Sequence, residues 1–122
     1  MSSPRILVAD DEPALLRLLE FVLGRRGLEI HGVSNGNAAV ELLETNPPDL
    51  AILDVMMPGL DGYEVLRFIR DNPVLAGIPV VMLTARAQLD DIQQGLSLGA
   101  DAYLAKPFDP EELLSVVESL IS

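Results

Sequence analysis

Short apolar runs alternate with stretches of helical period along the whole chain. Arg5–Ala9 reads as a buried strand, and Pro13 can open a helix, where its missing N–H costs nothing. Leu15, Leu18, Leu19 and Val22 then recur at i, i+3, i+4 and i+7, which predicts one apolar helical face, with Gly27 as a stop. Residues 28–33 form a short second strand. Asn35 caps a helix carrying Ala39, Leu42 and Leu43 on one side, ended by Pro47-Pro48. Residues 50–53 are apolar at every position, the pattern of a central parallel strand covered on both faces. A loop with Pro58-Gly59 leads to a helix over 62–70, with Val65, Leu66 and Ile69 inward. A fourth strand spans 79–83 and a fourth helix 88–98, weakened by Gly95, which costs about 1 kcal/mol relative to Ala. A fifth strand covers 102–105. Asp109 then caps a last helix that starts at Pro110 and turns Leu113, Leu114, Val117, Leu120 and Ile121 to the core.

This alternation is (βα)5, an α/β fold. It calls for a doubly wound five-stranded parallel sheet with right-handed crossovers and helices on both faces. The 122 residues, 49 % hydrophobic, suffice for one core and not for two, and no linker or repeat interrupts them, so residues 1–122 are expected to be a single domain. No run of 18 apolar residues suggests a membrane span, and no basic, then apolar, leader opens the chain. The absence of cysteine rules out disulfides and thiol chemistry and fits a cytoplasmic setting. A net charge of −11 argues against nucleic-acid binding by this domain. The basic side is more informative: of eight Lys and Arg residues, Lys106 is the only lysine.

The chemistry gathers at the strand ends. Strand one runs into Asp10-Asp11, strand three into Asp54, strand four into Thr84 and strand five into Lys106. In an open parallel sheet these C-terminal ends share one edge, where such folds bind ligands. Three carboxylates there repel one another, and either protonation or a hard divalent cation relieves them. Mg2+ suits an all-oxygen set. A carboxylate beside such a cation can attack a phosphoryl group and form an acyl phosphate, with Lys106 and the Thr84 hydroxyl as further partners for the phosphoryl oxygens. Each residue alone has an ordinary reading: Asp11 or Glu12 as a cap of the first helix, Thr84 as a cap, Lys106 as a solvated surface group. Only their convergence on one edge carries the inference.

Asp10-Asp11-Glu12-Pro13, the segment from Asp54 to Gly62, Leu83-Thr84-Ala85, Gly99 to Leu104 and Lys106-Pro107-Phe108 together resemble the signature segments of response-regulator receiver domains of two-component signalling. The resemblance implies a flavodoxin-like sheet in the order 2-1-3-4-5. It implies Asp54 as phosphoacceptor, and Mg2+ held by Asp11, by Asp10 mostly through water, by Asp54 and by the backbone carbonyl of Met56. Thr84 and Lys106 would bind the phosphoryl group, and the Lys106–Pro107 peptide would be cis. Thr84 and Tyr103 would form the switch, Tyr103 turning inward behind Thr84; the other reading is a strand residue with its hydroxyl in water. The donor would be a histidine kinase or histidine phosphotransfer domain. The output surface would be the fourth helix, fifth strand and last helix, presented to a downstream protein. Relatives that dimerise through charged pairs carry Asp-Asp-Tyr and a basic last helix. Here the sequence is Asp101-Ala102-Tyr103, and the last helix has Glu111, Glu112 and Glu118 and no Lys or Arg. A monomer or weak dimer is expected.

Two other functions compete. A haloacid-dehalogenase-type phosphatase also uses a strand-end Asp with Mg2+, but its second Asp, two residues on, is Met56 here. A phosphorylation-independent docking module has no need of three clustered carboxylates. A nucleotide-binding flavodoxin-like protein fits less well still, as no Gly-rich loop follows strand one. The reading is therefore a signalling switch and not an enzyme with a metabolic product.

Overall fold

A computed structural model describes residues 3–85 and 99–121. Its elements are β1 (Arg5–Ala9), α1 (Pro13–Gly24), β2 (Glu29–Val33), α2 (Gly36–Thr45), β3 (Leu50–Asp54), α3 (Gly62–Asp71), β4 (Val80–Ala85), β5 (Ala102–Lys106) and a C-terminal helix (Pro110–Ile121). The five strands form one sheet in the order β2-β1-β3-β4-β5, and every neighbouring pair is parallel. The expected helix over 88–98 lies outside the described residues.

Strand alternation divides the core in two. Leu7, Ala9, Ala51, Leu53, Val80 and Met82 pack with α2 and α3 residues such as Leu43, Val65 and Ile69. Ile6, Val8, Leu50, Ile52, Val81 and Leu83 pack with Leu19 and Leu23 of α1 and with Leu113 and Val117 of the C-terminal helix. β3 is buried at all five positions, as a strand covered on both faces must be. β4 and β5 reach further than their apolar runs, because pairing continues through Thr84↔Ala105 and Ala85↔Lys106. Polar residues thus lie within the ladder and not beyond it.

One expectation about α1 needs correction. The buried ridge consists of Leu19 and Leu23, one helical repeat apart, while Leu18 is 42 % exposed on the flank. Glu12 is the N-cap residue, yet its side chain makes no capping bond. Instead, Asp10 Oδ1 accepts the Glu12 backbone N–H at 2.9 Å. The other caps follow the sequence. Asn35 Oδ1 accepts from Ala38 N at 2.7 Å, and Asp109 Oδ1 accepts from Glu111 N at 2.9 Å. α1 ends at Gly24, and Gly27, at φ 81°, turns the chain into β2.

Candidate phosphoryl and metal site

The sheet order places β1 beside β3, and β4 between β3 and β5, so their C-terminal ends form one rim. Asp54 is the last residue of β3 and is 3 % exposed; Asp10 follows β1 and is fully buried. Asp11, next to it, is exposed. One carboxylate oxygen from each of Asp10, Asp11 and Asp54 lies within 4.8 Å of the other two. Among the described residues this is the one such acidic group. Lys106, at the end of β5, reaches into it. Its Nζ is 2.7 Å from Asp10 Oδ2, 2.8 Å from Glu12 Oε1 and 3.3 Å from Asp54 Oδ2. The Asp10 contact is an ion pair whose angle leaves Oδ2 without a well-formed hydrogen bond.

The electrostatics follow from this crowding. Burial, with the Asp10 charge adding to it, pushes the Asp54 carboxyl from 3.8 up to about 6, against the pull of Lys106 and the Met56 backbone N–H. Burial alone would lower the Lys106 ammonium. The carboxylates of Asp10, Glu12 and Asp54 outweigh it and hold that group above the ordinary lysine value. One ammonium therefore serves three carboxylates, with Asp11 beside them, and the described part of the pocket remains net negative. A buried oxygen without a hydrogen bond, in an all-oxygen donor set, fits a hard divalent cation of the Mg2+ type better than a thiophilic metal.

The loop after Asp54 is fixed from behind. Met56 N donates to Asp54 Oδ1 at 3.2 Å, and the Met56 side chain is 71 % exposed. Asp61 caps α3 in a reciprocal box: Asp61 Oδ1 accepts from Glu64 N at 2.8 Å, and Glu64 Oε1 accepts from Asp61 N at 3.0 Å. The Asp-x-x-Glu spacing was readable in the sequence and passed over. Gly62 lets α3 start directly under β3, for a Cβ there would run into the Asp54 carbonyl oxygen.

Thr84 is buried, one step further along β4 than Leu83, the partner of Asp54. Tyr103 pairs with Met82 and is half-buried. Its hydroxyl lies 3.0 Å from that of Tyr63 on α3, so the alternative of a hydroxyl in water gives way to a side-chain partner 40 residues away. The Lys106–Pro107 peptide is cis. Sequence reasoning missed Glu12 as a partner of Lys106. It also missed Arg70, whose guanidinium donates to the carbonyls of Gly99, Ala76 and Ile78 and pairs with Asp101 at 2.9 Å.

Residues 6–118 match the response regulator receiver domain family. The chain is 42 % identical over 117 residues to the alkaline phosphatase synthesis transcriptional regulatory protein PhoP of Bacillus subtilis (strain 168), covering 96 % of this chain and 48 % of that protein. It thus spans about half the length of the curated relatives it matches. The receiver domain of Francisella response regulator 1452 superposes with a TM-score of 0.91 at 33 % identity, over 98 % of this chain and 97 % of that one. The BeF3-activated DrrB receiver domain superposes with a TM-score of 0.87 at 28 % identity, over 98 % and 97 %.

Proposed function

Because the chain belongs to the response-regulator receiver family, we propose that it is a phosphorylation switch in which Asp54 accepts a phosphoryl group from a phosphohistidine of a histidine kinase or histidine phosphotransfer domain. The observation that carries this reading is a buried carboxylate at the sheet edge, within 4.8 Å of two more and beside the sole lysine. Residues 1–122 act as one receiver unit in it. Receivers are signalling modules, and the product here is an altered surface, not a released metabolite.

In the reaction an Asp54 carboxylate oxygen attacks phosphorus. The P–O bond forms as the P–N bond breaks, and the histidine nitrogen keeps the electron pair. The nucleophile must be ionised, and Asp54 is so above about pH 6. Asp10, Asp11, Asp54 and the Met56 carbonyl would hold Mg2+, which supplies charge neutralisation for the phosphoryl oxygens. Lys106 provides a second positive charge and Thr84 a hydroxyl donor. Leu18 and Phe21, the latter 63 % exposed, and a cleft of about 420 Å³ lined by Leu15, Leu18, Pro107 and Phe108 offer apolar surface to a protein donor beside Lys106. The readout runs through Thr84 and Tyr103 to the surface of β5 and the C-terminal helix. The C-terminal helix carries no Lys or Arg and addresses a downstream protein, not DNA, although its Glu118 is already paired with Arg26 beyond α1 at 3.4 Å. No helix among the described residues is long and apolar enough to cross a membrane.

Acetyl phosphate with Mg2+ should add one phosphoryl group, read by intact mass, and Asp54→Asn should abolish it. Undiminished labelling of Asp54→Asn would remove Asp54 from the role.

A further inference from the structure

The Lys106 ammonium lies within 3.3 Å of three carboxylates and hydrogen-bonds two of them, Glu12 and Asp54. A phosphoryl oxygen on Asp54 competes with these partners for Lys106. Asp10 and Asp54 are buried, so water cannot take over from the ammonium there without cost. The Glu12 side chain is 61 % exposed, and water can solvate it as soon as Nζ leaves. Glu12 is thus the partner that Lys106 surrenders. It is also free for this purpose, since as N-cap of α1 its side chain makes no capping bond, and Asp10 takes its backbone N–H.

Resting on the phosphoacceptor reading above, we infer that Glu12 is a positioning residue that holds Lys106 Nζ at the mouth of the site and competes with the phosphoryl group for it. The pair favours the resting state, because it exists there and is given up in the phosphorylated one. The released Glu12 carboxylate then stands near a dianionic group, which adds repulsion of the same sign. Both effects predict that Glu12→Gln shifts the site toward the occupied form. An exposed ion pair is weak, so the shift is about two- to fivefold, and it shrinks as salt screens the charges.

The test uses the full chain with 15N-labelled lysine, in which Lys106 is the only lysine and gives one side-chain ammonium signal. Without ligand, Glu12→Gln should move that signal. An unmoved signal overturns the pair whatever the site does. With Mg2+ present, beryllofluoride, a non-covalent phosphoryl mimic, should bind Glu12→Gln about two- to fivefold more tightly than wild type at low ionic strength, the gap closing at high salt. Equal or weaker binding, with wild type binding normally and both proteins equally folded by circular dichroism, overturns the competition. Undiminished binding to Asp54→Asn instead refutes the phosphoacceptor reading, and the ligand-free signal still decides the Glu12–Lys106 pair.

Discussion

Asp54→Asn should make the metal-free protein more stable at neutral pH, although it removes the residue on which the proposed chemistry depends. Burial first, and the Asp10 charge second, raise the folded-state pKa of Asp54 from 3.8 to about 6. For an acid, a raised folded pKa means that the folded state holds the proton more tightly than the unfolded chain does. The stabilisation this represents is complete below about 3.8 and is lost as pH rises through about 6. A difference of about two pKa at 1.4 kcal/mol each sets the cost of the ionised group at about 3 kcal/mol. That is a sizeable part of the roughly 5–15 kcal/mol that holds a small domain together. Asparagine resembles the protonated acid in size and, like it, carries no charge, so it escapes this cost.

Urea denaturation of both proteins in EDTA, from pH 4 to pH 8, measures the difference directly. The advantage of Asp54→Asn should be near zero at pH 4, grow toward pH 6 and level off at about 3 kcal/mol above it. Adding Mg2+ at pH 7.5 should stabilise wild type more than the variant and narrow the gap, since ligand binding to the folded state adds its own free energy. A gap that does not vary with pH, or a variant less stable at pH 7.5 in EDTA, would refute the reasoning. It would mean that the Lys106 pairing more than compensates for burial.

Three further outcomes follow from the scaffold. Gly62→Ala forces a Cβ into the Asp54 carbonyl; it should cost about 1–3 kcal/mol in urea denaturation and slow acetyl phosphate labelling, whereas Gly77→Ala, with open space around it, should change neither. Arg70→Lys loses the planar fork that joins α3 to the carbonyls of Gly99, Ala76 and Ile78; it should destabilise by about 2–4 kcal/mol in the same assay without changing Mg2+ affinity. Asp61→Ala breaks the capping box of α3 and should cost about 1 kcal/mol, measured by thermal melting, with one phosphoryl group still taken up.

The strands and their order of polar ends were legible because burial on two faces leaves little choice of residue: Ile6 to Ala9 and Leu50 to Leu53 are apolar throughout and buried throughout. Asp10, Asp11, Asp54 and Lys106 were found by the same logic, for a charge that interrupts a buried run must sit at its end. Pairwise geometry was not legible. Glu12, like Asp11, read as a possible cap because it stands between strand one and the first helix. Only the fold brings Lys106, 94 positions away, to its carboxylate. Arg70 drew no reading beyond its place at the end of a helix, and its carbonyl partners lie in turns that no periodicity signals. Tyr63 and Tyr103 belong to separate elements whose side chains meet across the α3 face of the sheet.

The pleat gives the proposed switch its physical form. Asp54 continues the alternation of Leu50 and Ile52, and Lys106 that of Ala102 and Leu104, so both belong to the face covered by α1 and the C-terminal helix. Thr84 continues the alternation of Val80 and Met82, and Tyr103 pairs with Met82, so these two belong to the opposite face, over α2 and α3. In the proposed switch Thr84 would therefore have to swing over the strand end to reach a phosphoryl oxygen. Tyr103 belongs to the face it would leave, tied by its hydroxyl to Tyr63. An inward turn of Tyr103 has to break or carry along that contact. In this chain the phosphorylation signal would then be felt at α3 as well as at β5, and the strength of the tyrosine pair would set part of the cost of switching.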